Sequence, residues 1–238
     1  MRINRYLAEC GLASRRKCEQ FVIDGLVSVN GKIISDLSTD VKVGDTVRVD
    51  GKKVNPIHKH VYLIMNKPKG CVTTVSDDRG RKTVMDIVRE SYPNTRLFPV
   101  GRLDYDTEGL LILTTDGNLC NRLTHPSSEI EKVYSAKIEG EVTEADLNKI
   151  RAGVEVDGKI TKKCRATLLR YDQKTKLSSV EIAISEGMNR EVRKMFEAIG
   201  KFVKFLKRVA YGDLRLRGIN RGAFRKLTAE EINYLKNV

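Results

Sequence analysis

The stretch Val100-Gly101-Arg102-Leu103-Asp104-Tyr105-Asp106-Thr107-Glu108-Gly109-Leu110-Leu111-Ile112-Leu113-Thr114-Thr115-Asp116-Gly117 decides how this chain is read. Leu110 to Leu113 is an unbroken apolar run, closed by the turn signal Asp116-Gly117. That pattern predicts a strand covered on both faces. The polar residues before it then form a loop anchored to a rigid element, the setting in which catalytic groups are commonly held. Taken alone, Asp104 reads either as a carboxylate that caps a turn or as one that pairs with Arg102.

Toward the N-terminus, Val61 to Met65 reads as a strand, Lys67-Pro68-Lys69-Gly70 as a turn, and Val84 to Glu90 as a short helix ahead of Pro93. Between them Asp77-Asp78-Arg79-Gly80-Arg81-Lys82 is a charged loop, either solvated or laid on a nucleic-acid backbone. Toward the C-terminus, Asn118 to Thr124 allows one or two helical turns ended by Pro126. Lys132 to Ile138 alternates as a half-buried strand, and Thr143-Glu144-Ala145-Asp146 opens a helix that closes at Gly153. Further strands are expected at Arg165 to Arg170 and Val180 to Ile184. Short helices among hairpin-linked strands predict an α+β domain with a mixed, mainly antiparallel sheet flanked by helices.

Residues 1–54 form a separate pattern. A helix from Ile3 to Cys10 stops at Gly11, and a second begins after Ser14 and ends before Gly25. Leu26 to Val29 and Lys32 to Ile34 flank the hairpin signal Asn30-Gly31, and Val41, Val43, Val47 and Val49 continue a period-two alternation around Gly44-Asp45. This predicts a small α/β module. The polar, proline-containing segment 55–60 is read as a linker, leaving 61–238 as the second domain.

The 238 residues carry 44 Lys and Arg against 31 Asp and Glu, a formal charge of +13. The cations are spread along the chain, which points to a folded surface for a polyanion, nucleic acid foremost. No segment approaches the ~20 consecutive apolar residues of a membrane span, and the N-terminus lacks a secretory apolar core, so the expected address is the cytoplasm. Five scattered cysteines, none in a Cys-x-x-Cys pair, and three histidines without ligand spacing argue against a disulfide framework or a metal site. His58 and His60 fall in the linker and are expected to be solvated. Arg15, Arg16 and Lys17, at the start of the second helix, are either phosphate contacts or a solvated basic face.

The stretch from Gly101 to Gly109 resembles the signature of the RsuA-like pseudouridine synthases, which isomerise uridines in ribosomal RNA. Residues 1–54 resemble the small S-four RNA-binding domain through Arg5-Tyr6-Leu7-Ala8, Ala13-Ser14-Arg15-Arg16, Gly25 to Gly31 and Val43-Gly44-Asp45. The resemblance implies that Asp104 is the nucleophile. It also implies that Tyr134, in Lys132-Val133-Tyr134, packs on a flipped base and takes part in removing the C5 proton. Arg193, in Glu186-Gly187-Met188-Asn189-Arg190-Glu191-Val192-Arg193-Lys194-Met195-Phe196, matches the third motif.

Val192, Met195, Phe196 and Ile199 share one helical stripe, and Arg193, ~100° round from Val192, falls at its edge. From there it is expected to pair with a half-buried Asp104, keeping it ionised and oriented. Arg5, Arg15, Arg16, Lys17, Arg102 and Arg190 are the expected RNA contacts. Glu191 stands where relatives often carry Gln. The implied reaction requires no metal and no organic cofactor. The implied partner is ribosomal RNA or a ribosomal assembly intermediate, with no membrane partner, and the family expectation is a monomer. The wording of the motifs lies nearest the large-subunit type B branch, while the small-subunit type A and large-subunit type F branches share most of it.

Two other readings remain at this point. Asp104 with Asp106 or Glu108 could be the paired acids of a glycosidase or the metal ligands of a nuclease. A non-enzymatic chain would keep the RNA-binding module and serve as an assembly scaffold.

Overall fold

The computed structural model of the protein describes residues 1–125 and 127–238; Pro126, expected to end a helix, lies outside them. Two helices open the chain, α1 (Ile3–Glu9) and α2 (Arg15–Ile23), and the Ser14 hydroxyl accepts from the Lys17 amide at 3.2 Å to start the second. The strands β1 (Val27–Val29) and β2 (Lys32–Ile33) meet at Asn30-Gly31, whose φ values of 52° and 81° suit the tight hairpin the sequence signalled. With β3 (Val47–Val49) and β4 (Lys52–Lys53) they make a sheet ordered β2-β1-β3-β4.

The expected strand at Val41 and Val43 is absent. Lys42 and Asp45 close a turn instead, through Asp45 N–H to Lys42 O at 3.2 Å and Lys42 N–H to the Asp45 carboxylate at 2.7 Å. Val41 is buried and Val43 is fully exposed, so the alternation is a turn with one inward residue. Ile3, Leu7, Ala13, Cys18, Val22, Val27, Val41 and Val47 form a core built from this N-terminal segment.

After residues 55–60 come β5 (Tyr62–Lys67), α3 (Val84–Val88), β6 (Phe98–Val100), β7 (Glu108–Thr114) and α4 (Gly117–Thr124). They are followed by β8 (Lys132–Glu139), α5 (Glu144–Ala152), the hairpin of β9 (Glu155–Val156) and β10 (Lys159–Ile160), β11 (Arg165–Asp172) and β12 (Leu177–Ile184). The chain closes with α6 (Glu191–Glu197), β13 (Val203–Tyr211), β14 (Leu214–Arg215), β15 (Phe224–Lys226) and α7 (Ala229–Asn237). Among the described residues the main sheet runs β11-β12-β8-β13-β7-β5-β15, with β14 on β13 and β6 on β7. The β13–β7 pair is parallel and the other pairs are antiparallel. This is the mixed, mainly antiparallel sheet expected from the sequence.

Every residue of β7 is buried. Leu111 and Leu113 face one core, with Leu63, Met65, Met195 and Phe196, and Leu110 and Ile112 face the other, with Ile64, Leu119 and Leu235. Each such side chain contributes about 1.5–3 kcal/mol on burial, so β7 is firmly held from both faces of the sheet. Asp116-Gly117 does not simply close this strand. The Asp116 carboxylate accepts from the Asn118 and Leu119 amides, at 3.1 and 2.9 Å, and caps α4.

The central strand β13 was not legible in the sequence. Its register shifts between Val203 and Phe205 and again between Arg208 and Ala210, and an arginine occupies one of its alternating buried positions, Leu206, Arg208 and Ala210, so its apolar residues show no period-two pattern. It reaches β7 at Gly109, whose φ is +112° and whose absent Cβ would lie 2.2 Å from the Arg208 carbonyl oxygen. The glycine that ends the signature is therefore the contact that lets the two strands join.

Candidate active site

The loop 101–107 links β6 to β7, where β13 joins, and its backbone is bound at every carbonyl from Leu103 to Thr107. Leu103 O accepts from the Thr73 hydroxyl at 2.7 Å, and Tyr105 O from the Gly70 amide at 2.8 Å. Lys67 Nζ donates to Asp104 O and Thr107 O, both at 2.9 Å, and Arg193 Nη2 to Asp106 O at 3.1 Å. The Thr107 amide closes a turn onto Asp104 O at 3.1 Å. The loop is held by its main chain, which leaves the Asp104 side chain free.

That side chain lines a cavity of about 480 Å³, together with Tyr134 from β8, Arg208 from β13 and Glu191 from the start of α6. The volume is that of a small-ligand site. Asp104 is half-buried, and among the described residues no cation comes within 4.0 Å of its carboxylate. Tyr134 is 8% exposed and sits at the edge of the larger core, with its ring against the cavity.

Arg193 is placed next to this loop, but its expected partner must be corrected. Its Nη2 lies 3.2 Å from the Asp106 carboxylate, and its Nη1 donates to Val203 O at 2.8 Å. The reason is the turn at Asp104–Thr107, which directs the Asp106 carboxylate and carbonyl toward α6 while Asp104 faces the cavity. Burial holds the Arg193 guanidinium below its usual range, and Asp106 opposes that shift. Arg190, at φ 53°, supplies a second cation to Asp106 at 3.1 Å and also borders the cavity.

Of the expected RNA contacts, Arg15, Arg16 and Lys17 are exposed on α2, and Arg102 is exposed at the cavity edge. Arg5 is already engaged: its Nε meets Glu9 at 3.0 Å and its Nη2 reaches the Asn118 side chain on α4, tying the N-terminal module to the rest of the chain. The Asp77–Lys82 loop is partly self-neutralised by the Arg81–Asp77 pair at 2.6 Å. His60 is not simply solvated, because its Nδ1 lies 3.2 Å from the Thr115 hydroxyl.

Several functional side chains escaped the sequence reading. Lys67 was read as part of a turn; it ends β5 fully buried, and burial pushes its ammonium down to about 8. Its signal was a charge following the apolar run Tyr62 to Met65. Glu191 is 4% exposed, accepts from the Met188 amide at 2.9 Å, and is pushed up by burial to about 7. Lys132 and Arg208 line the cavity as well.

Comparison with known proteins identifies the family. The family model of RNA pseudouridylate synthases matches residues 61–198, and that of the S4 domain matches residues 1–47. The chain is 43% identical over 235 residues to the ribosomal large subunit pseudouridine synthase B of Bacillus subtilis (strain 168), covering 99% of this chain and 95% of that one. It is 41% identical over 237 residues to an RNA pseudouridine synthase of Aquifex aeolicus (strain VF5), covering 99% and 93%. A crystal structure of a pseudouridylate synthase superposes with a TM-score of 0.71 at 29% identity, over 99% of both chains. With its cavity at the Asp104 loop and its match over nearly the whole length of these relatives, the chain belongs to the RNA pseudouridylate synthase family.

Proposed function

We propose that this chain converts uridine to pseudouridine at a specific site of ribosomal RNA, in the large subunit, and that Asp104 is the nucleophile. The observation that carries the reading is the Asp104 carboxylate, unpaired on a cavity wall while every neighbouring carbonyl is fixed. Positioned groups of this kind supply much of an enzyme's rate advantage. The name of the Bacillus subtilis relative supports the choice of subunit.

The reaction breaks the bond between C1′ of the ribose and N1 of uracil, turns the base, and joins C1′ to C5. The C5 proton leaves and N1 is protonated, so atoms and electrons balance without a redox partner. A paired uridine must first be flipped from its helix, at a cost of a few kcal/mol. Asp104 attacks C1′ or balances its developing positive charge. Tyr134 packs on the flipped base and assists loss of the C5 proton. Arg193 acts as a positioning residue through Asp106.

Residues 1–54 serve as the RNA-binding domain and 61–238 as the catalytic domain, joined by 55–60. Arg15, Arg16, Lys17, Arg102 and Arg190 contact phosphates. The protein acts as a monomer in the cytoplasm, without metal or organic cofactor. Among the described residues no helix is long and apolar enough to cross a membrane.

The test is incubation of the purified chain with transcripts of both ribosomal RNAs, followed by chemical mapping of pseudouridine. One modified uridine in the large-subunit RNA is expected. A single site in the small-subunit RNA would reassign the substrate, and no site in either would overturn the reading.

A further inference from the structure

Lys132 and Arg208 are two cations on the cavity wall without a carboxylate partner. Lys132 Nζ donates to Ser185 O at 3.0 Å and Glu186 O at 3.2 Å. Arg208 is 4% exposed; its Nε donates to Leu110 O at 2.8 Å, and its buried Nη2 has no hydrogen-bond partner among the described residues. No Asp or Glu oxygen among those residues lies within 4.0 Å of either cation. A buried charge left unpaired in this way costs several kcal/mol, which implies a partner that arrives with the substrate.

The register shows where that partner sits. Arg208 is directly opposite Tyr134 on neighbouring strands, so both side chains leave the same face. Both cations also lie over the Tyr211 ring, at 5.9 Å for Lys132 and 5.6 Å for Arg208, and Tyr211 is fixed by its hydroxyl bond to Leu123 O at 2.8 Å. Arg102 and Lys162, by contrast, are exposed at the edge of the cavity, where the sugar-phosphate backbone would remain. The acid acting on Lys132 is Glu191, which burial pushes up to about 7 and which therefore supplies only part of a counter-charge near neutrality.

We propose that Lys132 and Arg208 form a cationic floor that stabilises the uracil anion released when the glycosidic bond breaks. When C1′–N1 cleaves, the electron pair passes to N1 and spreads over the ring nitrogens and both carbonyl oxygens, while Asp104 meets the deficit at C1′. Two charges tied to fixed strands favour this anion in either orientation of the base, so it can turn without escaping. This is electrostatic stabilisation aimed at charge that develops during the reaction. The inference rests on the proposed uridine isomerisation and adds two groups that touch the base.

The experiment compares the full-length chain with its Arg208→Gln, Arg208→Lys and Lys132→Met variants. The substrate is a ribosomal RNA transcript carrying uridine or 5-fluorouridine, whose anion is the better leaving group. Arg208→Gln is expected to slow single-turnover loss of uridine about 100-fold while RNA affinity stays within about twofold of wild type. Arg208→Lys should restore most of the rate, and the deficit of the Gln variant should shrink at least about tenfold with 5-fluorouridine. Equal deficits for both bases, or weakened RNA affinity with unchanged turnover, would overturn the floor; the second result would make it a phosphate site. If Arg208→Gln does not fold, Lys132→Met gives the same comparison. Inactive wild type defeats the functional reading itself, whereas active wild type with equally active variants defeats only this inference.

Discussion

The ammonium of Lys67 and the main-chain carbonyl of Asp104 are joined at 2.9 Å, inside the protein, with the Asp104 carboxylate left out of the bond. Lys67 also holds Thr107 O at 2.9 Å and Pro68 O at 3.2 Å, so one buried side chain fixes both ends of the turn that presents Asp104. Desolvation by burial lowers its proton affinity, and the nearby Cys71, Asp104, Asp106 and Glu108 oppose that shift only in part.

Replacing Lys67 by Met, similar in length and apolar, should separate stability from activity. Removing the buried ammonium relieves its desolvation cost, which offsets the loss of its donor to the carbonyl partners. The Asp104 turn, however, loses two hydrogen bonds, at Asp104 O and Thr107 O, and a misplacement of ~1 Å at the reacting group costs on the order of 100-fold in rate. The expected outcome is an unchanged or raised Tm with a fall of about that size in single-turnover rate. A parallel loss of both would show that Lys67 serves the core instead.

Gly109→Ala tests the junction of β7 and β13. The new methyl would lie 2.2 Å from a backbone oxygen at φ +112°, and neither strand can retreat from its neighbours. A loss of about 3 kcal/mol or more is expected in urea unfolding. A loss below about 1 kcal/mol would contradict the close approach.

Glu191 should leave a mark on stability against pH. Its folded pKa of about 7 exceeds that of an unfolded glutamate, 4.5, so the folded state binds more protons between these values. Its favourable contribution is full below pH 4.5 and is lost as pH rises through 7. Glu191→Gln removes the titration. At pH 8 the variant should be more stable than wild type, by up to about 3 kcal/mol from the size of the shift, and the difference should vanish near pH 4. Thermal melts across that range check it, and a constant difference would contradict the assignment.

The three cations at the start of α2 predict a salt effect. Arg15→Ala, Arg16→Ala and Lys17→Ala combined should weaken binding to ribosomal RNA and reduce the slope of log K against log salt by about 2–3. Single-turnover rate at saturating RNA should not change. An unaltered slope would remove α2 from the RNA interface.

The sequence revealed the parts of the fold that rest on local rules. Asn30-Gly31 marked its hairpin, Thr143 with Asp146 marked the start of a helix, and the apolar run at Leu110 marked the doubly covered strand. It concealed β13, because Arg208 occupies one of its alternating buried positions, and it misread Val41 and Val43, because the bond from the Lys42 amide to the Asp45 carboxylate makes a turn there. Asp104 and Tyr134 were identified through the resemblance, and the structure brings both to one cavity. The partner of Arg193 was not legible, since the choice between Asp104 and Asp106 depends on a turn closed by distant residues such as Lys67. Arg208 escaped for a related reason: its neighbours, Tyr134 and Gly109, are set by strand pairing across long separations in sequence.

The central claim is that Asp104 carries the reaction, and the most direct measurement is pseudouridine mapping of both ribosomal RNAs in cells that lack this gene. Complementation would use the wild-type chain or Asp104→Asn, which keeps the size of the side chain and removes its charge. The account predicts one lost site in large-subunit RNA, restored by wild type and not by Asp104→Asn at equal protein level. Restoration of that site by Asp104→Asn would contradict it.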